Sequence, residues 1–238
     1  MRLDLYVSAE LNCTRTRASN IIKMGGVTVN GRHIVKAGSE VSDRDVVEIT
    51  DSVKYTSLGG VKLENALDYF HIDLNNKICL DLGAANGGFT QCMLTRGAKH
   101  VSAVDLSLAF PEFLVNDPRI TIFDGVNVKN VNSVFVANSF DFISVDLSFI
   151  SLNSLFPLFY PLLKQTGILI VLFKPQYEVG RKYLPKSGVV HDIKAMEKAF
   201  LSTKKSAEEC GFLFLGDCYI PDYFSDKNKE RTICFTKH

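Results

Sequence analysis

One stretch constrains the fold of this chain more than any other: Ile78-Cys79-Leu80-Asp81-Leu82-Gly83-Ala84-Ala85-Asn86-Gly87-Gly88-Phe89-Thr90. An apolar run that holds a single carboxylate and then breaks into glycines reads as a buried strand, a tight turn and a helix from Phe89 to Arg96. Glycines at a strand-to-helix turn let a ligand approach the backbone closely. Val101-Ser102-Ala103-Val104-Asp105 reads as a second strand ending on an acid able to accept hydrogen bonds from ribose hydroxyls. Further strands are expected at 120–123, 142–145, 168–173, 212–214 and 232–235. A charged amphipathic helix is expected over 192–210, with Asp192 as its cap. Strands alternating with helices predict a parallel sheet covered on both faces. In such a sheet ligands bind beyond the carboxyl ends of the strands.

The glycine spacing separates two kinds of nucleoside cofactor. A dinucleotide site requires Gly-x-Gly-x-x-Gly, whereas this chain has Gly83-x-x-x-Gly87-Gly88 with Asp81 two residues before the first glycine. The pattern resembles the S-adenosyl-L-methionine turn of Rossmann-like methyltransferases. No pyrophosphate needs cradling there, and a carboxylate meets the cationic amino acid portion directly or through water.

Ahead of this region lies a smaller unit. Residues 3–11 place Leu3, Tyr6, Val7 and Leu11 at helical spacing, and Thr14 or Thr16 caps a second short helix that Gly25-Gly26 stops. Asn30-Gly31 between Val27-Thr28-Val29 and Arg32-His33-Ile34 is a strong hairpin signal, and residues 46–49 add another strand. Up to residue 37 there are six cations against two anions, which suits contact with RNA phosphates. The order Arg2-Leu3-Asp4, Thr14-Arg15-Thr16-Arg17-Ala18, Ile21-Ile22-Lys23 and Gly25-x-Val27-x-Val29-Asn30-Gly31 resembles the alpha-L RNA-binding fold. That resemblance implies an RNA-facing set of Arg2, Arg15, Arg17, Lys23 and Arg32.

Composition narrows the setting. The net charge of +1 over 238 residues does not announce a nucleic-acid binder, so the local cations carry that argument. Six cysteines without a Cys-x-x-Cys pair point to free thiols, no structural zinc and a reducing, cytoplasmic setting. The most apolar region, 155–173, is interrupted by Pro157, Pro161, Lys164, Gln165 and Gly167, and reads as a helix, a turn and a buried strand rather than a membrane span.

Lys62, Asp146, Lys174 and Glu230 stand at strand ends or loops, where chemistry is expected. No Gly-x-Ser-x-Gly elbow supports a serine hydrolase. The segments Ser57-x-Gly59-Gly60-x-Lys62-Leu63, Asp81-x-Gly83-x-x-x-Gly87-Gly88-Phe89-Thr90, Asp146-x-Ser148-Phe149-Ile150-Ser151, Lys174-Pro175-Gln176-Tyr177-Glu178-Val179-Gly180 and Gly188-Val189-Val190-His191-Asp192 together resemble the TlyA family. These are ribosomal RNA 2′-O-methyltransferases with an FtsJ-like catalytic domain, often labelled haemolysins. The resemblance spans nearly the whole chain. It implies an alpha-L domain over 1–50, a linker over 51–61 and a Rossmann-like methyltransferase domain over 62–238.

The resemblance also implies a cytidine 2′-O-methylating enzyme acting on ribosomal RNA or ribosomal subunits. Lys62, Asp146, Lys174 and Glu230 would be its catalytic set, and Asp81, Gly83, Gly87, Gly88, Phe89, Asp105, Asp124 and Asp146 its cofactor contacts. A second ammonium nearby and partial desolvation are expected to lower the pKa of Lys174. It then serves as general base, or stays charged and stabilises the developing alkoxide. Two alternatives stand beside this reading: a non-catalytic RNA-binding assembly factor and a membrane-active haemolysin. Leu58 stands where the family often has Arg, and Leu106-Ser107-Leu108 follows Asp105 where the family continues Gly-x-x-Gln-Leu.

Overall fold

The computed structural model describes residues 1–50, 54–220 and 228–237. Residues 51–53 of the expected linker lie outside that range, as does Lys227 of the stretch leading to Glu230.

The N-terminal unit consists of α1 (Leu3–Glu10), α2 (Arg15–Lys23) and a sheet of β1 (Val27–Val29), β2 (Arg32–His33) and β3 (Val47–Ile49) in the order β2-β1-β3. Thr14 caps α2 by accepting the Arg17 amide at 3.2 Å. Asn30 and Gly31 adopt positive φ of 53° and 75°, and the register Val29↔Arg32 makes the turn a two-residue hairpin loop. Leu3, Val7, Ile21, Ile22 and Val27 form the core of the unit.

The larger unit runs α3 (Leu58–Tyr69), β4 (Ile78–Leu82), α4 (Gly88–Thr95), β5 (His100–Asp105), α5 (Glu112–Val115), β6 (Ile120–Asp124), α6 (Val131–Val134), β7 (Phe140–Val145), α7 (Phe156–Phe159), β8 (Leu163–Phe173), α8 (Pro175–Glu178), α9 (Ile193–Glu209), β9 (Phe212–Tyr219) and β10 (Arg231–Lys237). Its strands form one sheet, β6-β5-β4-β7-β8-β10-β9. Both faces are apolar because successive side chains alternate. Cys79, Phe142, Ile170 and Cys234 face α3 and α4, while Leu80, Ile143, Leu169 and Ile233 face a core that includes Phe200 of α9. Asp192 caps α9 through the Ala195 amide at 2.9 Å. All six cysteines are free. Among the described residues no helix is long and apolar enough to cross a membrane.

Three expectations need correction. The sheet is mixed, not parallel, because β10 runs antiparallel to both β8 and β9. β10 enters the sheet between β8 and β9 and reverses direction against both neighbours. The apolar stretch 155–173 is the expected helix, turn and buried strand, but the strand, β8, begins at Leu163 and not at residue 168. Lys164, Gln165 and Gly167 sit inside the strand, where the pairing skips from Phe140↔Leu163 to Phe142↔Ile168 and Thr166 takes φ +59°. Finally, the expected linker ends early, because α3 already starts at Leu58. Gly59 and Gly60 lie inside that helix, and any Cβ on Gly60 would overlap the buried Tyr55 ring.

The strand order changes direction between β4 and β7, and Gly83 sits at that point. Its φ is +88°, and a Cβ there would collide with the Asp146 carbonyl. Gly125 has φ +74°, and a methyl group at that position would meet nothing within 4 Å, so it isolates the backbone contribution. Gly125→Ala is expected to cost about 1–2 kcal/mol for a left-handed L-residue. Gly83→Ala is expected to lose roughly a further 2 kcal/mol or more from the steric conflict. Denaturant unfolding checks both, and equal losses would show that the Asp146 contact is unimportant.

Candidate active site

The carboxyl ends of β4, β5 and β7 are knitted together before they diverge. The Gly83 and Ala84 amides both donate to the Val104 carbonyl, at 2.9 and 3.2 Å, and the Asp146 amide donates to Leu82 at 2.9 Å. Beyond them opens a cleft of about 200 Å³ whose lining includes Gly83, Asp105, Leu106, Asn127, Val128 and Leu147. Asp105 takes the Ala85 amide on one carboxylate oxygen at 3.0 Å and the Ser107 amide on the other at 3.1 Å. Each oxygen keeps a further lone-pair site for a hydroxyl.

Asp81, Gly87, Gly88, Phe89, Asp124 and Asp146, also expected to contact a cofactor, are not among its lining residues. Gly87, at φ +82°, precedes the first turn of α4, and Gly88 begins that turn. Asp124 accepts the Leu108 and Gly125 amides at 2.9 and 3.0 Å, which shapes the loop after Asp105. Phe89 is turned into the core with Tyr55, Leu63 and Cys92, away from the cleft lining. Asp81 also departs from expectation, because its carboxylate is fully buried. Thr90 and Ser144 donate hydroxyls to it at 2.6 and 3.0 Å. Burial pushes the Asp81 carboxyl up to about 7, and the two hydroxyls hold that rise in check. Asp81 is thus a brace inside β4. Leu106, Asn127, Val128 and Leu147 are cleft walls that sequence reasoning misses, since they lie in loops whose sequence carries no ligand signature.

The four expected catalytic side chains converge as two ion pairs. Lys174 Nζ lies 2.6 Å from Asp146 Oδ1 and donates to Ser148 Oγ at 3.2 Å. Lys62, projecting from α3, places Nζ 2.5 Å from Glu230 Oε2, just before β10. All four are largely buried, with side chains 11–21% exposed. Burial works to lower the Lys174 pKa, but attraction to Asp146, then to Glu230 and Tyr177, outweighs it and holds the ammonium above its ordinary value. The expected lowering is therefore corrected, because attraction to the neighbouring carboxylates outweighs burial.

The loop after Asp146 is fastened by Glu178, which accepts the Ser151 hydroxyl at 2.6 Å and the Leu152 amide at 2.8 Å. It presents Phe149 at φ +66°, 89% exposed, with its ring 5.3 Å from that of Tyr177. Both residues stand in motifs conspicuous in the sequence, yet only the backbone geometry reveals a latch and an outward aromatic.

In the N-terminal unit, Arg2 and Arg15 are partly committed to structure. Both bind the buried Asp4 carboxylate, Arg2 at 2.8 Å and Arg15 at 3.0 Å, and hold it well below the usual carboxylate range. Their side chains remain about half exposed, at 48% and 53%. Arg17 is half-buried in α2, Lys23 ends that helix, and Arg32 is exposed in the hairpin.

The Asp81 brace has a pH signature. Unfolded aspartate titrates near ~3.9, and folded Asp81 near about 7. Between those values the folded chain holds a proton that the unfolded chain has lost, so stability falls as pH rises through that window and then levels off. Asp81→Asn removes the effect. Wild-type stability minus variant stability, from denaturant unfolding, is expected to fall by on the order of a few kcal/mol from pH 4 to 7.5. A difference that stays flat would mean Asp81 is ionised throughout.

Comparison with known proteins supplies the family. The FtsJ-like methyltransferase family matches residues 55–237, and the S4 domain family matches residues 1–47. Hemolysin A of Brachyspira hyodysenteriae is 36% identical over 217 residues, covering 89% of this chain and 90% of that protein. The 16S/23S rRNA (cytidine-2′-O)-methyltransferase TlyA of Mycobacterium tuberculosis is 35% identical over 208 residues, covering 85% of this chain and 77% of that protein. Among solved structures, a hemolysin candidate from Streptococcus thermophilus superimposes with a TM-score of 0.76 at 32% identity, covering all of this chain and 88% of that one. The chain belongs to the TlyA family of FtsJ-like methyltransferases, with an S4 domain ahead of its methyltransferase domain.

Proposed function

We propose that this protein transfers a methyl group from S-adenosylmethionine to the 2′-hydroxyl of a cytidine in ribosomal RNA. The observation that carries the reading is the pair of lysine–carboxylate contacts, Lys174–Asp146 and Lys62–Glu230, gathered beside a cleft at the carboxyl ends of the central strands. The names of the relatives support the ribosomal RNA and cytidine assignment.

The cleft suits a nucleoside with a charged tail. Gly83 lines the cleft without a side chain, Asp105 offers acceptor sites to ribose hydroxyls, and Val128 and Leu147 give apolar walls for a flat base. S-adenosylmethionine supplies an electrophilic methyl group when bound there. The chain's own residues then act on the acceptor. A ribose hydroxyl is a weak nucleophile whose oxygen becomes more negative as its proton departs. Lys174 remains an ammonium and stabilises that oxygen by charge and hydrogen bonding. With Lys174 still an ammonium, the hydroxyl proton passes to the carboxylate beside it, Asp146. Lys62 and Glu230 hold the other side of the array. Phe149, exposed beside this cluster, offers a face on which a splayed base stacks.

The test is transfer of tritiated methyl from S-adenosylmethionine to ribosomal subunits and to naked ribosomal RNA. Wild type is expected to label RNA, and Lys174→Ala to lose roughly 10²–10³ of the rate with its charge stabilisation. Phe149→Ala is expected to weaken RNA binding by about 1–3 kcal/mol, the range for a lost stacking partner, read as a raised KM for RNA. Cofactor binding without label on any RNA would remove the enzymatic reading in favour of an assembly factor.

A further inference from the structure

Seven residues past Lys174 the chain carries Arg181-Lys182-Tyr183-Leu184-Pro185-Lys186, and all six side chains are exposed. Lys194, in the first turn of α9, adds a fourth exposed cation. Asp192, the only acid between residues 179 and 196, is occupied in capping α9, and Glu197 beyond it is taken by Arg231. Among the described residues none of the four cations has an ion-pair partner. Lys182 lies over the Tyr183 ring, 5.6 Å from its centroid, so cation and aromatic face are presented together.

A charged loop is ordinarily a solvated surface. This one is fastened at both ends to the segments that carry the reactive side chains. At one end it follows α8, whose Glu178 latches onto Ser151 and Leu152 of the loop after Asp146. At the other end Asn228, two residues before Glu230, accepts the Val190 amide at 2.8 Å and donates to the Gly188 carbonyl at 2.8 Å. The cations are therefore held at the border of the Lys174–Asp146 and Lys62–Glu230 array. The net charge of the whole chain is only +1, so such a concentration of unpaired cations is a local feature.

We propose that residues 181–194 form a second RNA-contact surface, separate from the S4 domain. Arg181, Lys182, Lys186 and Lys194 hold phosphates of the strand flanking the target ribose, and Tyr183 supplies a stacking face. Asn228 acts as a positioning residue that ties this surface to Glu230. The proposal rests on the function argued above and names where on the methyltransferase domain the RNA is held.

The test compares wild type with the triple variant Arg181→Ala/Lys182→Ala/Lys186→Ala in ribosomal RNA binding over a salt series. These side chains are exposed, and an unchanged melting temperature and unchanged S-adenosylmethionine binding by calorimetry confirm the fold. The slope of log K against log salt is expected to shrink by about 2–3, one step for each lost phosphate contact. The loss in methyl transfer is expected to appear as a raised KM for RNA. Lys205→Ala, on the exposed face of α9, is expected to leave the slope unchanged.

A triple variant with wild-type slope and KM, in a protein that does methylate RNA, overturns this surface and leaves the function standing. A reduced slope in a protein that methylates no RNA keeps the surface and removes the function. Loss of binding to phosphatidylserine vesicles with RNA binding intact would assign the loop to a lipid surface and overturn the proposal.

Discussion

The close passage of the β4 and β7 chain ends at Gly83 is the constraint on which the rest of the methyltransferase domain depends. The backbone at Gly83 must turn with positive φ and must do so against the Asp146 carbonyl, leaving no room for a side chain. The same junction ties Leu82 to the Asp146 amide and Val104 to the Gly83 and Ala84 amides. Neighbouring strands run together to this point and then separate, because the sheet order reverses between β4 and β7. The cleft is the space left by that separation, as expected for a doubly wound sheet. Asp105, which ends β5, and Leu147, just past β7, line it because both strands pair with β4.

Around this junction the domain compensates every charge it removes from water. Asp81 receives two hydroxyls, Asp146 faces Lys174, and Glu230 faces Lys62. The two kinds of compensation have different consequences. Hydroxyl donors only partly stabilise an anion, so burial still raises the Asp81 pKa. An ammonium and a carboxylate in contact stabilise each other's charged form, so Lys174 stays protonated despite its burial. Breaking such a pair is costly because the remaining charge is stranded. Lys174 and Asp146 therefore form a fixed feature of the site and not two independent side chains.

Period and punctuation made most of the elements legible. The two-residue hairpin at Asn30-Gly31, the caps at Thr14 and Asp192, and the strands ending at Leu82, Asp105 and Val145 follow from local chemistry that the sequence displays directly. The start of α3 was hidden because Gly59 and Gly60 look like breakers. Their reason is tertiary: Gly60 packs against the Tyr55 ring. The direction of β10 was hidden because an apolar run has the same composition in either orientation. In the site, residue types beside strand ends singled out Asp146, Lys174 and Glu230, whereas Lys62, expected in a loop or at a strand end, projects from α3. The inward turn of Asp81 and Phe89 depends on which side of a strand or helix meets the core, and the outward Phe149 depends on a single positive φ. Neither property is written in the motif.

A charged Lys174 also bears on how the reaction would be accelerated. A general base contributes about 10²–10⁴ in rate, whereas holding two reactants in line is worth roughly 7–11 kcal/mol. A site that keeps its lysine protonated gives up part of the smaller contribution and retains the larger one, provided the ribose is held accurately. That shifts the demand onto RNA positioning. The S4 domain meets only part of it, because Arg2 and Arg15 divide their guanidinium groups between solvent and the buried Asp4. The exposed cations of residues 181–194, fastened to the Glu230 segment by Asn228, are proposed to meet the rest of it.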